Sequence, residues 1–278
     1  MNYQDFHHIK VAIEDGIATC TIDNPPINLI TRTLFQDLNR LSEQLETDEG
    51  VIVVVLQSAN PDFFIAHYDV ELILQSPTEQ PPVKGRPNGF HAMVQRFHTM
   101  EKLTIAKIEG RVGGGGSELA ANCDLRYGVY GKTLINQMEV PIGILPGGTG
   151  TQQLPRLMGR SRALEVILGG DDLDAATAEK WGYLTRAFES GDIDGFVNTL
   201  AARVASFPRT AVQLAKQAVN QSHQPIEEGL KEESWRFQQL LRTDEAMPAM
   251  RRFLAEGGQT PDGEQRVGAL NAEINRSG

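Results

Sequence analysis

The sequence predicts an α/β fold in which a sheet-rich first half precedes a helical second half. Three observations carry this reading. Val51-Ile52-Val53-Val54-Val55-Leu56 is an unbroken, mostly β-branched run, the pattern of a strand covered on both faces. Asp15-Gly16 stands between two short runs that alternate apolar with polar or small residues, a strong hairpin signal. From Thr149 onward, glycines and prolines punctuate segments of helical length.

Taken in order, the hairpin strands are Val11 to Glu14 and Ile17 to Ile22. After Asn24-Pro25-Pro26, Thr31 can cap a helix whose Leu34, Leu38, Leu41 and Leu45 recur on one face. The β-branched strand follows, and the proline-rich stretch Ser76 to Asn88 reads as a mobile surface loop. A strand and a turn span Leu103 to Gly110, four glycines lead into a helix beginning near Ser117, and Leu125 to Val129 is a further strand. The helices expected beyond are Ser161 to Leu168, Ala175 to Trp181 behind an Asp174 cap, Ile193 to Ser206, Thr210 to Gln221 and Pro225 to Leu241.

A chain of 278 residues can bury a sizeable core, as one large domain or one domain with an appendage. Its net charge of −10 argues against a nucleic-acid or anionic-membrane surface, since both need a broad basic field. Any anionic ligand must be held by a local cluster. Cys20 and Cys123 are too few for a disulfide framework and suit a reducing compartment. The start of the sequence has neither a basic nor an apolar leader pattern, and no later stretch is long enough to span a bilayer. The expectation is a cytoplasmic enzyme.

Several motifs fail on spacing. Gly131-Lys132-Thr133 resembles the end of a phosphate-binding loop, but Arg126 stands where that loop needs its first glycine. A dinucleotide fingerprint opened at Gly113 would end on Glu118 instead of glycine. A nucleophile elbow around Ser117 would need glycine at Leu119. His91 and His98 have no acidic or cysteine partner nearby to complete a metal-ligand set, so solvated or capping roles are expected and no metal.

The run Gly113-Gly114-Gly115-Gly116-Ser117-Glu118 survives these tests. Consecutive glycines persist where backbone must come very close to something or adopt positive φ. Either a tight turn packs a helix on a strand, or bare N–H groups at a helix start face a ligand. Glu118 fits a helix-end acid or a catalytic carboxyl, and Glu139, in Gln137-Met138-Glu139, fits a solvated loop residue or a catalytic one. Together the two carboxyls offer a proton donor and an acceptor.

Four ordered blocks give the sequence a likeness. Gly50 through Leu56 leads to Phe64-Ile65-Ala66-His67-Tyr68-Asp69, and Ile105 through Gly110 leads to Gly114-Gly115-Gly116-Ser117-Glu118-Leu119-Ala120 and Cys123-Asp124. Gln137-Met138-Glu139 precedes Gly143-Ile144-Leu145-Pro146-Gly147 and Gly150-Thr151-Gln152, and Gly159 through Glu165 continues with Ala175 through Gly182. From about Val11 to Phe253 the chain resembles the crotonase superfamily, which includes the enoyl-CoA hydratases and isomerases. The resemblance implies the crotonase (ClpP/crotonase-like) fold: repeated strand, strand, helix units forming two stacked sheets. It also implies a core domain over 1–205 and a C-terminal helical region over 206–278 that assembles trimers, often paired into hexamers.

The resemblance further implies an oxyanion hole made by the backbone N–H groups of Tyr68 and Gly115, aimed at a thioester oxygen. Glu118 and Glu139 would flank a water, one accepting its proton and the other protonating the α-carbon. Ala66, His67, Asp69, Gly114 and Gly147 fall in the substrate-binding segments, the Gly147 N–H beside the water. Two carboxyls this close titrate as a coupled unit sharing one proton near neutrality. Isomerases of the family often retain only one of the acids, so both together favour hydration of an enoyl-CoA thioester. Isomerisation, thioester hydrolysis, decarboxylation and a non-catalytic acyl-CoA-binding homologue are the alternatives. The substrate is itself the coenzyme A thioester, and no cofactor or metal is implied.

Departures from the family pattern mark this chain. His67 and Tyr68 are bulky where small residues are usual. Lys107, Glu109 and Arg111 are charged where the segment is normally apolar or small, which suggests surface exposure or a subunit contact. Asn24-Pro25-Pro26-Ile27-Asn28 lacks the basic residue usual near the CoA phosphates, and the usual C-terminal basic and aromatic segment is replaced around Arg251 to Gly258.

Overall fold

A computed structural model of the chain describes residues 3–76 and 87–275. Of the expected loop from Ser76 to Asn88, residues 77–86 lie outside the described residues. Strands β1 (Ile9–Glu14) and β2 (Ile17–Ile22) form the hairpin, antiparallel with Glu14 opposite Ile17. Asp15 and Gly16 both take positive φ, 47° and 78°, the mirror-turn geometry that matches the twist of the flanking strands. Helix α1 (Arg32–Thr47) starts where the Thr31 hydroxyl accepts from the Leu34 N–H at 3.3 Å. Leu34, Leu38, Leu41 and Leu45 are all fully buried, each contributing on the order of 2 kcal/mol of apolar burial.

The chain continues through β3 (Val53–Ser58), β4 (Phe63–Ile65), α2 (Val70–Leu74) and α3 (Gly89–Thr99). A second such unit is β5 (Leu103–Ile108), β6 (Arg111–Gly113) and α4 (Gly114–Ala121). A third is β7 (Leu125–Val129), β8 (Leu134–Asn136) and α5 (Gly150–Met158). Then come α6 (Arg160–Gly169), β9 (Leu173–Asp174), α7 (Ala175–Trp181) and β10 (Arg186–Phe188). Helices α8 (Asp192–Ala205), α9 (Arg209–Asn220), α10 (Ile226–Leu240), α11 (Ala246–Ala255), α12 (Pro261–Gln265) and α13 (Val267–Glu273) follow.

Two sheets result. A six-stranded sheet runs β1-β2-β3-β5-β7-β10, and a four-stranded sheet runs β4-β6-β8-β9. The β-branched run works because β3 lies between two parallel neighbours and alternates faces: Val54 and Leu56 enter the main core, Val53 and Val55 the smaller core under α8. Phe64, Ile65, Val112 and Ile135 of the small sheet join Val54, Leu56, Ala106 and Ile108 of the large one in a single core. The main core therefore lies between the stacked sheets.

Two expectations are corrected. Lys107 is buried at 7 % exposure, where its ammonium pairs with Asp194 at the start of α8 and with Glu109 at 3.1 Å. An inward charge is tolerated on β5 because α8 brings a carboxylate to it. Helix α4 begins at Gly114, not near Ser117, so the glycines are its first turn. They are required by proximity: a Cβ at Gly116 would stand 2.6 Å from Ile65, and one at Gly113 2.5 Å from the Ala66 carbonyl oxygen. His91 does take a capping role, completing a reciprocal cap with Asn88 at the start of α3.

Beyond Ala205 the chain is helical, with α9 docked on the core through Lys216. Its ammonium pairs with Asp124 at 2.7 Å and donates to the Lys102 carbonyl at 2.7 Å. Among the described residues no helix is long and apolar enough to cross a membrane.

Candidate active site

The parallel strands β4, β6 and β8 are neighbours, and the chain leaving each carboxyl end contributes to one cavity. β4 leads to Tyr68, β6 to the start of α4 with Gly115 and Glu118, and β8 to Glu139. The carboxyl ends of parallel strands are the usual place for a ligand site in α/β sheets. The cavity is about 460 Å³, and Tyr68, Gly115, Glu118, Glu139, Gly147 and Gly148 line it. Phe35, Ile73, Phe90, Ile144 and Leu145 give it an apolar wall.

Both acids are buried, Glu118 at 3 % and Glu139 at 7 % exposure. One oxygen of Glu118, Oε1, accepts from the N–H groups of Gly148 at 2.8 Å and Gly150 at 2.7 Å. Between those glycines Thr149 is held at φ 111°, a strained conformation for a β-branched residue, and its hydroxyl accepts from Asn122 at 2.6 Å. Asn122, one turn beyond Glu118, also donates to the Glu118 carbonyl at 2.8 Å. The second carboxyl oxygen, Oε2, has no such anchor among the described residues and lies on the glycine-loop side, 2.5 Å from where a Gly148 Cβ would be. Burial pushes the Glu118 carboxyl up to about 7; the Gly150 and Gly148 amides oppose this, and the Glu139 charge adds to it.

Glu139 is supported by side chains. With its amide nitrogen turned toward the acid, fully buried Gln137 donates to Glu139 Oε2 at 3.0 Å and Oε1 at 3.3 Å, while its oxygen accepts from Ser117 Oγ at 3.0 Å. Burial holds the Glu139 pKa above the usual carboxylate range. Glu139 Oε1 lies 3.1 Å from where a Gly114 Cβ would be, so glycine there, at φ 45°, makes room for the acid.

Two amides are disposed as donors. Gly115 is the second residue of α4, so its N–H has no carbonyl partner within the helix, and Gly113 before it supplies no side-chain cap. A parallel bridge joins Tyr68 to Ile30 through Ile30 N–H to the His67 carbonyl at 2.9 Å and Asp69 N–H to the Ile30 carbonyl at 3.2 Å. That bridge draws on the amides either side and leaves Tyr68 N–H outside the ladder. The Tyr68 ring packs edge-on against Phe90 at 5.8 Å between ring centres, and Phe90 stacks on Phe35 at 6.2 Å.

The structure thus brings Tyr68, Gly115, Glu118, Glu139 and Gly147 together on one cavity. Ala66, His67, Asp69 and Gly114 are not among its lining residues. Asp69 caps α2 by accepting from Glu71 N–H at 3.0 Å, and His67 Nδ1 is 2.8 Å from the Tyr68 carbonyl oxygen. The sequence reading missed Gly148 and Gly150 as the cradle of Glu118, Gln137 as the partner of Glu139, and Phe90 as a wall. A glycine pair flanking Thr149 was a visible signal for the first; Phe90 carried none. Among the described residues no group of acids, histidines and cysteines could hold a metal ion.

Comparisons with known proteins point to one family. The enoyl-CoA hydratase/isomerase family model matches residues 12–261. The chain is 28% identical over 254 residues to a short-chain-enoyl-CoA hydratase of Clostridium acetobutylicum, covering 90% of this chain and 95% of that one. Among solved structures it is similar to an enoyl-CoA hydratase from Geobacillus kaustophilus, with a TM-score of 0.83 at 26% identity, covering 91% of this chain and 95% of that one. It is also similar to DspI of Pseudomonas aeruginosa, with a TM-score of 0.82 at 28% identity, covering 91% of this chain and 96% of that one.

Proposed function

The chain belongs to the enoyl-CoA hydratase/isomerase family, and from that premise we propose that it adds water across the α,β double bond of an acyl-CoA thioester. The observation that carries this is two buried carboxyls on one cavity beside the amides of Tyr68 and Gly115. The thioester oxygen takes hydrogen bonds from those two N–H groups as it becomes an enolate, and removing such a donor typically costs about 3–4 kcal/mol of transition-state stabilisation.

The two acids share one proton between them. One takes a proton from water and the other delivers one to the α-carbon. After turnover the proton is on the former base and returns to the acid before the next cycle.

Assembly into trimers is part of the same proposal. It is supported by the apolar side chains that α10 leaves exposed: Ile226, Leu230, Trp235 and Phe237 are all more than half exposed in the single chain. The two free, buried cysteines suit the reducing cytoplasm.

The test is purified protein mixed with crotonyl-CoA and longer enoyl-CoAs, followed at the enoyl absorbance. Hydration is expected as signal loss that Glu118→Ala and Glu139→Ala abolish. Tight thioester binding without conversion, or double-bond migration in place of hydration, would overturn it.

A further inference from the structure

Beside the acid pair stands an aromatic cluster that the chemistry of hydration does not call for. Phe90 is the second residue of α3, and the helix that carries it is fixed at both of its levels. Asn88 and His91 close the first turn with their reciprocal cap, and Met93, Val94 and Phe97 on the inner face are fully buried. The Phe90 ring stacks on Phe35 of α1 at 6.2 Å and meets Tyr68 edge-on at 5.8 Å. It is thus held by one ring from α1 and by another from the segment after β4.

Two glycines locate this ring against the reacting groups. A Cβ at Gly148 would stand 2.4 Å from one ring carbon of Phe90 and 2.5 Å from Glu118 Oε2. A Cβ at Gly115 would stand 3.3 Å from Phe90 Cζ and 3.3 Å from Tyr68 Cβ. The ring therefore borders Glu118 at one edge and the two donor residues at another. A thioester oxygen on those donors, with its α-carbon beside the acids, puts the double bond next to Phe90. Glu139 and fully buried Gln137 bound the cavity from the β8 side, while Ile144 and Leu145 are 40 % and 61 % exposed, so their side opens to solvent. Carbons added beyond the double bond are directed at the Phe90 ring, with Phe35 behind it.

We propose that Phe90 is a specificity-determining residue: its ring, backed by Phe35 and Tyr68, closes the acyl end of the cavity and restricts the substrate to short straight-chain enoyl-CoA thioesters. This deepens the hydratase reading above and rests on it for the reaction, whereas the closed pocket is a property of binding. An open apolar pocket rewards each added methylene with about fourfold tighter binding. A closed one withholds that gain, because a longer chain must displace a ring packed on two others or leave its tail in water.

The experiment measures binding and turnover in the full chain. Calorimetry with the unreactive saturated thioesters should show decanoyl-CoA binding wild type no tighter than butyryl-CoA, and gaining about 10²-fold over it in Phe90→Ala. With enoyl substrates, the ratio of kcat/KM for trans-2-decenoyl-CoA to that for crotonyl-CoA should rise by about 10²-fold in Phe90→Ala and by less in Phe90→Leu. The leucine variant keeps an apolar side chain on α3 and carries the test if alanine lowers the melting temperature. A fourfold gain per methylene already present in wild type, a ratio unchanged in both variants, or a preference for cinnamoyl-CoA over crotonyl-CoA overturns the proposal. A chain that shows the expected binding order and hydrates no enoyl thioester defeats the hydratase reading alone.

Discussion

Glu118 and Glu139 meet at one cavity from different supports. Glu118 is gripped by main chain, two glycine amides on one oxygen, in a loop held at a strained Thr149. Glu139 is gripped by side chains, Gln137 backed by Ser117 and Tyr183. The contrast teaches two ways of supporting a buried carboxyl: main-chain amides that fix one oxygen and leave the other toward the cavity, and a side-chain amide that reaches both oxygens.

The harshest way to break the comparison is to remove each carboxylate without changing its shape. Glu118→Gln and Glu139→Gln should each lower kcat for crotonyl-CoA hydration roughly 10²–10⁴-fold, the range for a general acid or base. The double variant should be little worse than either single one, because neither acid works alone. Multiplicative losses in steady-state kinetics would mean that the two act independently.

A milder perturbation targets only the main-chain support. A Cβ at position 148 would stand 2.5 Å from Glu118 Oε2 and 2.4 Å from the Phe90 ring, so Gly148→Ala must displace one or both. A loss of kcat of about 10²-fold is expected, as for a displacement near 1 Å at a catalytic group. Wild-type kinetics in this variant would show that the cradle does not set the position of Glu118.

Stability against pH sharpens the contrast further. A carboxyl raised from 4.5 to about 7 on folding supplies stability that is fully present below pH 4.5 and is lost as pH rises through 7. Glu118→Gln keeps an oxygen for both glycine amides and removes this penalty. It should therefore be more stable than wild type at pH 8, by on the order of 2 kcal/mol, with no such gain at pH 4. Denaturant unfolding at the two pH values measures this, and a gain of equal size at both would contradict it.

The smallest effect is a control. Gly195 sits inside α8 with open space where a Cβ would be, so Gly195→Ala should leave kinetics unchanged and raise stability by roughly 0.5–1 kcal/mol. A kinetic loss there would mean that glycine replacement as such, not contact with Glu118, explains the Gly148 variant.

The long-period features were readable from residues alone. The Asp15-Gly16 hairpin, the leucine face of α1, the two-sided β3 strand and the C-terminal helices through Leu240 all appear as expected, because each has enough residues to display its period. The small sheet was not readable. β4, β6 and β8 are three residues each and β9 two, too short for alternation to register, and the first three are the strands that deliver the site. Lys107 was misplaced because its partner Asp194 lies far along the chain. At the site, the acids and the glycine run stood out by residue type, and the family resemblance gave them roles. Their supports did not stand out: a serine, a glutamine and a tyrosine acquire meaning only when folding sets Tyr183 against Ser117.

The central claim is that this acid pair adds water to an enoyl thioester, and hydration of crotonyl-CoA in deuterium oxide tests it most directly. Mass and proton spectra of the product should reveal a 3-hydroxyacyl-CoA carrying one deuterium at the α-carbon, with formation collapsing in both Glu118→Gln and Glu139→Gln. Product formed at the wild-type rate in either variant, or a shifted double bond with no β-hydroxyl, would contradict the account.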